Sequence, residues 1–238
     1  MSPSKISLIF FVGLLLVASV FALPTGPTTI TVLGSSRYPT TSPTNVTAIA
    51  GNVTEINFGT NGITQTWQGY FGNISGTIIL GDSNNNTLYD WNSASPSGQI
   101  YATRNSSTPN WAIVRCANST EINSEDTALG VNESNDQDSA DKTFLNTTTF
   151  NQFYVGNKII NTSQDCYAVQ LFNSSAQPST DFQELLLSDN SSMIYTSLIT
   201  KNSVGFDNRT HDFEMLVGEN GHLGDATATP YYFYLELG

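Results

Sequence analysis

Carboxylates and amides at close spacing are the residues of this chain best suited to chemistry. Asp82, Asn84, Asn86 and Asp90 occupy positions 1, 3, 5 and 9 of an EF-type loop, where oxygen ligands for calcium belong. Thr87 stands where that loop needs glycine and Ser93 where it needs a bidentate glutamate, so an Asn-rich hairpin turn is the competing account. The acidic group Glu133, Asp136, Asp138 and Asp141 offers a second set of calcium ligands, or a solvated loop. Calcium is the one cofactor for which the sequence makes a case. The two histidines each have acidic company: Asp212 and Glu214 near His211, Glu219 and Asp225 near His222. Converging segments would make a His/carboxylate metal site of them, and ordinary surface polarity is the simpler reading. No Gly-x-Ser-x-Gly elbow, phosphate-cradling loop or dinucleotide glycine motif occurs, and the expectation is a protein that is not an enzyme.

A second chemistry is more abundant. Asn-x-Ser/Thr acceptors for N-linked sugar stand at Asn45, Asn52, Asn73, Asn85, Asn105, Asn118, Asn132, Asn146, Asn161, Asn173, Asn190 and Asn208. With 24 Asn, and 56 Ser plus Thr in 238 residues, random placement gives roughly five or six such triplets, so these twelve are about double the accidental number. A glycan cannot be buried, so each occupied Asn marks the surface.

The first 22 residues read as a secretory signal. Lys5 precedes an apolar run from Ile6 to Val20, and Val20-Phe21-Ala22 fits cleavage after Ala22. A run of about 15 residues is short for a bilayer-spanning helix, although retention as an uncleaved anchor is the alternative. Export agrees with Cys116 and Cys166, an even pair that most simply makes one disulfide. Closing a loop of that length contributes on the order of 4 kcal/mol in the chain-entropy treatment. Beyond the signal, seven basic residues face 20 acidic ones. That balance argues against nucleic acid and against anionic membranes as partners.

These residues must be held by strands and turns. Residues 23–44 carry Pro24, Pro27, Pro39 and Pro43 and read as an extended arm, with a β-prone run at Thr28–Leu33. Residues 45–238 read as a single β-rich body, with strand candidates at 46–58, 63–71, 74–80, 87–91, 99–103, 150–160, 166–172, 182–187, 193–199, 212–217 and 231–237. Ser188-Asp189-Asn190-Ser191 makes a hairpin of 182–187 and 193–199, with Leu185 and Leu187 on one face. Thr108-Pro109 opens a short helix running to Cys116. The stretch 121–142, with seven acidic residues and one Lys, reads as a loop or partly disordered insertion. The fold class expected is all-β, a sandwich or partly open antiparallel barrel with Trp67, Trp91 and Trp111 in the core.

The segments Trp67-Gln68-Gly69-Tyr70-Phe71-Gly72-Asn73-Ile74-Ser75-Gly76, Thr87-Leu88-Tyr89-Asp90-Trp91, Arg115-Cys116-Ala117-Asn118 and Gly218-Glu219-Asn220-Gly221-His222, with Tyr231-Tyr232-Phe233-Tyr234, resemble secreted Asn/Thr-rich surface proteins of archaea. The resemblance implies an archaeal cell-surface setting and carries no assigned activity. Two functions are expected from these readings. One is a structural coat or filament subunit that self-assembles; in its stronger form Thr28, Ile30 and Val32 add as a strand to a neighbour's sheet, and a plain spacer is the simpler account of the arm. The other is an extracellular module binding carbohydrate or a partner surface through aromatic residues such as Tyr70, Phe71, Tyr89, Trp91, Tyr232 and Tyr234, and a calcium-stabilised adhesin-like domain is a further variant.

Overall fold

Every side chain from Phe182 to Ser188 is buried, because the strand that carries them is covered on both faces. A computed structural model describes residues 23–91, 97–131, 135–174, 178–221 and 228–238. Residues 1–22, which read as a secretory signal, lie outside the described residues, as do Asn132, Glu133, His222 and Asp225. The elements in chain order are β1 (Trp67–Gly72), β2 (Ile78–Gly81), β3 (Thr87–Trp91), β4 (Gly98–Thr103), β5 (Arg115–Cys116), α1 (Ser119–Ala128), α2 (Ala140–Thr143), β6 (Phe153–Val155), β7 (Lys158–Ile160), β8 (Ala168–Phe172), β9 (Pro178–Ser188), β10 (Met193–Leu198), β11 (Ser203–Val204), β12 (Thr210–His211), β13 (Phe213–Gly218) and β14 (Tyr232–Leu237). The protein is all-β, with every strand pair antiparallel and the sheets open rather than closed into a barrel.

The central sheet has six strands, in the order β14-β4-β10-β9-β5, with β8 also pairing with β9. Alternation along its strands feeds two cores. Tyr101, Leu185, Leu187 and Ile194 point to one side, where Trp111, Val114, Phe153, Val155 and Ile160 cover them. Ile100, Ala102, Leu186 and Tyr195 point to the other, where Met215, Val217, Ile122 and Phe144 lie. Leu185 and Leu187 do share a face, and Leu186 on the opposite face is equally buried. β5 and β8 lie in succession along one edge of β9, at Leu187–Ser188 and at Pro178–Leu185. The Cys116 and Cys166 sulfurs are within bonding distance, with Cα atoms 5.0 Å apart, so the bridge staples these two short strands.

The second layer is the antiparallel pair β1–β13, and its attachment is polar. In β13, Phe213, Met215 and Val217 stand opposite Gly72, Tyr70 and Gln68 of β1. The alternate residues Glu214, Leu216 and Gly218 present their main-chain groups away from β1, toward side chains of the central sheet. Ser197 Oγ donates to the Glu214 carbonyl at 2.7 Å, Glu184 Oε2 accepts from the Leu216 N–H at 2.7 Å, and the Tyr231 hydroxyl donates to the Gly218 carbonyl at 2.5 Å. A Cβ at Gly218 would collide with Leu129 and with the Tyr195 hydroxyl, so only glycine allows this approach.

Four sequence expectations change. The acidic stretch, expected as a loop, carries α1 up to Ala128 and α2 from Ala140, because its carboxylates are taken up by Arg104, Arg115 and backbone N–H groups. Residues 108–116 turn at 111–113 and enter β5 rather than forming a helix, and burial of Pro109 and Trp111 fixes the turn. The 150–160 run is a hairpin of β6 and β7, reversed at Gly156 with φ 56°. Neither 28–33 nor 46–58 is a strand. Thr25 alone pairs with β14, exchanging hydrogen bonds of 2.9 and 2.8 Å with Leu235. The next pairing position along the arm is Pro27, which has no N–H to give, so the ladder stops.

Glu184 is fully buried, and burial pushes its carboxyl well above the ordinary value of 4.5 while the Leu216 N–H pulls it down. Its second oxygen has no partner among the described residues. The folded chain therefore keeps a proton that the unfolded chain releases near pH 4.5. This contribution to stability is present below that pH and is lost as pH rises, by up to about 1.4 kcal/mol per unit. Glu184→Gln keeps an acceptor for Leu216 and removes the titration. The stability of the variant relative to the parent should grow between pH 5 and pH 8 in urea unfolding, and a gap constant with pH contradicts the assignment.

Candidate interaction surface

The 82–90 segment is a hairpin turn. Asp82 Oδ1 accepts the N–H groups of Asn84 and Asn86 at 2.9 Å each, and its Oδ2 accepts Asn86 Nδ2 at 2.8 Å. Asn86 thus offers donors to the aspartate, and these hydrogen bonds from Asn86 and Asn84 hold the Asp82 carboxyl below its ordinary value. Asn85 sits at φ 64°, a left-handed conformation that asparagine tolerates. Asp90 lies within β3 opposite Ile79. In this turn the first aspartate of the EF-type reading organises the backbone through the N–H groups of Asn84 and Asn86.

The other acidic groups are likewise taken up singly. Asp138 Oδ2 accepts Thr64 Oγ1 at 2.5 Å and Asp141 Oδ1 accepts Ser139 Oγ at 2.5 Å. The Asp136 carbonyl accepts Lys142 Nζ at 2.7 Å. His211 is buried, and its Nε2 lies 2.8 Å from Asp207 Oδ1, not against Asp212. Burial raises Asp207, but hydrogen bonds from His211 and Arg209 outweigh it and hold the carboxyl down at about 2. Asp212 instead accepts the Ile74 N–H at 2.8 Å and the Asn202 N–H at 3.0 Å. Glu214 accepts the Phe206 N–H at 3.0 Å, and burial raises its carboxyl. With Phe71 edge-on to the imidazole at 4.9 Å, this knot fastens the β11–β12 hairpin to the second layer. Among the described residues no group of three or more His, Cys, Asp or Glu is placed to hold a metal ion.

The sequons come out as surface positions. Asn45, Asn52, Asn73, Asn85, Asn118, Asn146, Asn190 and Asn208 are exposed, while Asn105, Asn161 and Asn173 are half-buried. Asn85, Asn190 and Asn208 have φ of 64, 71 and 62° at the tips of the β2–β3, β9–β10 and β11–β12 hairpins, so turn geometry alone selects asparagine there. Asn118 caps α1, accepting the Glu121 N–H at 3.0 Å through Oδ1 and leaving Nδ2 free for a sugar. Asn105 differs, because its Nδ2 donates to Ser192 Oγ at 2.8 Å.

The aromatic residues divide. Tyr234 packs on buried Trp111 at 5.4 Å and Tyr70 on Phe233 at 5.4 Å. Trp91, expected in the core, is exposed in β3 with its ring 4.9 Å from that of Tyr89 and tilted 70° to it. Two rings at that angle make a ridge, not the flat row that stacks on sugar. The extended segment 26–64 likewise leaves Ile30, Val32, Leu33, Val46, Ile49, Val53, Ile56 and Phe58 exposed. Sequence reasoning expected an arm over 23–44 only, and the exposure of both faces of β2–β3 runs against its sequence, because consecutive apolar residues such as Ile78-Ile79-Leu80 read as a strand covered on both faces.

Compared with known protein families, with curated proteins and with solved structures, the chain finds no match. No helix among the described residues is long and apolar enough to cross a membrane.

Removing the Asp82 carboxylate should loosen only the hairpin. Asp82→Ala is expected to speed amide exchange across β2 and β3 while leaving the global unfolding midpoint nearly unchanged, since the hydrogen bonds lost are exposed and local to the turn. Calcium should change neither quantity in the parent. A calcium-dependent rise in the midpoint that Asp82→Ala abolishes would restore the ligand reading.

Proposed function

We propose that this chain is a secreted, glycosylated, non-enzymatic structural protein of a cell surface, a coat or filament subunit of the kind its resemblance suggests in archaea. The observation that supports this most is the arm. Among the described residues its backbone is hydrogen-bonded to its own body near the two ends, at Thr25–Leu235 and at Thr66–Glu219, while eight large apolar side chains between them face solvent. Burying one such side chain is worth about 1.5–3 kcal/mol, so leaving eight exposed is costly for a monomer and useful in an assembly. The arm is also nearly free of charge: Arg37 and Glu55 are its only charged residues, against six basic and 19 acidic residues from 65 to 238. Bodies of that charge repel one another at low salt, and a neutral segment is the part of the chain that joins copies without crowding carboxylates.

The carbohydrate-binding alternative draws support only from Tyr89 and Trp91, whose mutual tilt argues against it. The surface placement of the sequons is what a sugar coat requires.

Two measurements test this function. Glycopeptide mass spectrometry of native secreted material should find sugar at exposed acceptors such as Asn45, Asn52, Asn85 and Asn208, and Asn105 unmodified because its nitrogen is engaged; bare acceptors throughout would remove the coat. Electron microscopy should show polymers or ordered surface layers of the native chain, and a monodisperse monomer at every concentration would remove the structural role.

A further inference from the structure

The β2–β3 hairpin stands apart from the cores. Its register places Ile78 opposite Trp91 and Leu80 opposite Tyr89, and these four alternate onto one face. They are 41, 51, 51 and 59% exposed in that order, and nothing among the described residues covers them. An isolated hairpin of four- and five-residue strands is marginal in water, and its two outer edges carry unpaired main-chain groups.

We propose that this hairpin is the acceptor for the Thr28–Leu33 segment of a second copy of the chain, which adds as a third strand at a free edge and sets Ile30 and Val32 beside the Ile78, Leu80, Tyr89 and Trp91 face. The inference rests on the structural-subunit function above and names the surface that receives the arm. Complementary needs support it: the segment has no ladder of its own, and alternation puts Ile30 and Val32 on one side of it. Charge supports it too. Arg37 is the only charged residue between positions 23 and 54, while Asp82 and Asp90 are the only charged residues of the hairpin.

Chain direction identifies the occupant as a second copy. Thr25 pairs antiparallel with Leu235, so the residues after Thr25 run toward the Tyr232 end of β14. The hairpin departs from the other end, where a Cβ on Gly76 would lie 2.8 Å from Leu237 Cδ1. Donor and acceptor thus leave opposite ends of one strand, the head-to-tail arrangement that gives an open polymer unless a rotation closes it.

Sedimentation velocity and electron microscopy of the full secreted chain test this. Leu80→Glu with Trp91→Glu, and separately deletion of residues 26–44, should each give monomers with an unchanged unfolding midpoint. Arg37→Glu should weaken association roughly fivefold, and adding Asp90→Arg to it should recover most of that loss. If the hairpin variant still assembles while the arm deletion does not, this acceptor is overturned and the structural function stands. Loss on the hairpin variant alone would mean that hairpins pair with each other, which overturns the arm as occupant. A native chain that never assembles overturns both.

Discussion

The second layer is held by the outward-facing edge of β13. A strand edge laid against a sheet face would bury main-chain donors and acceptors without partners, at a cost of about 1–3 kcal/mol each. Glu184, Ser197 and Tyr231 supply those partners in succession. This explains why polar residues are buried in β9 and β10, strands that otherwise carry the core. It also fixes Met215 and Val217 over Leu186 and Tyr195, because an edge bonded at alternate residues cannot slip by one position. Protonation of Glu184 belongs to the same arrangement: an ionised carboxylate with one oxygen unpartnered in that interior would be far costlier than the acid.

The acidic segment orders itself by a related principle. Glu125 is buried and forked by Arg104, with contacts of 3.0 and 2.6 Å, and it accepts the Tyr195 hydroxyl at 3.2 Å. Asp126 Oδ1 accepts the Ala140 N–H at 2.9 Å, which closes the first turn of α2. Glu121 returns to the Asn118 N–H and is gripped by both terminal nitrogens of Arg115. Counting charges suggests a solvated loop because it presumes that carboxylates seek water. Here three of them replace apolar burial as the means by which a helix docks, with Ile122 and Leu129 as the apolar anchors.

Strands bounded by turn residues were the most legible part of the sequence. The β9–β10 hairpin, β3, β4, β8, β13 and β14 lie within a few residues of where alternation and turn chemistry put them. α1 was missed although Asn118-x-x-Glu121 is a capping-box pattern, because seven acidic residues and few large apolar ones between 121 and 142 read as a solvated loop. Among the described residues the metal readings gather no group of three or more ligands, and the physical reason is local. Spacing in sequence shows which oxygens are near one another but not which backbone N–H groups have already claimed them, as at Asp82 and Asp212. Long-range placement, such as the laying of β13 against β9 and β10, had no local signal beyond a glutamate in an apolar strand.

Two features of the arm that look like defects follow from one requirement. Pro27 prevents the segment from completing a ladder on its own β14, since it falls where the next N–H is needed. The low charge removes the gatekeeping carboxylates that elsewhere on this acidic surface would oppose association. A segment meant only as a spacer needs neither property, and hydrophilic, charged composition would serve it better. The arm is thus apolar, nearly free of charge and, after Thr25, without a ladder on its own sheet.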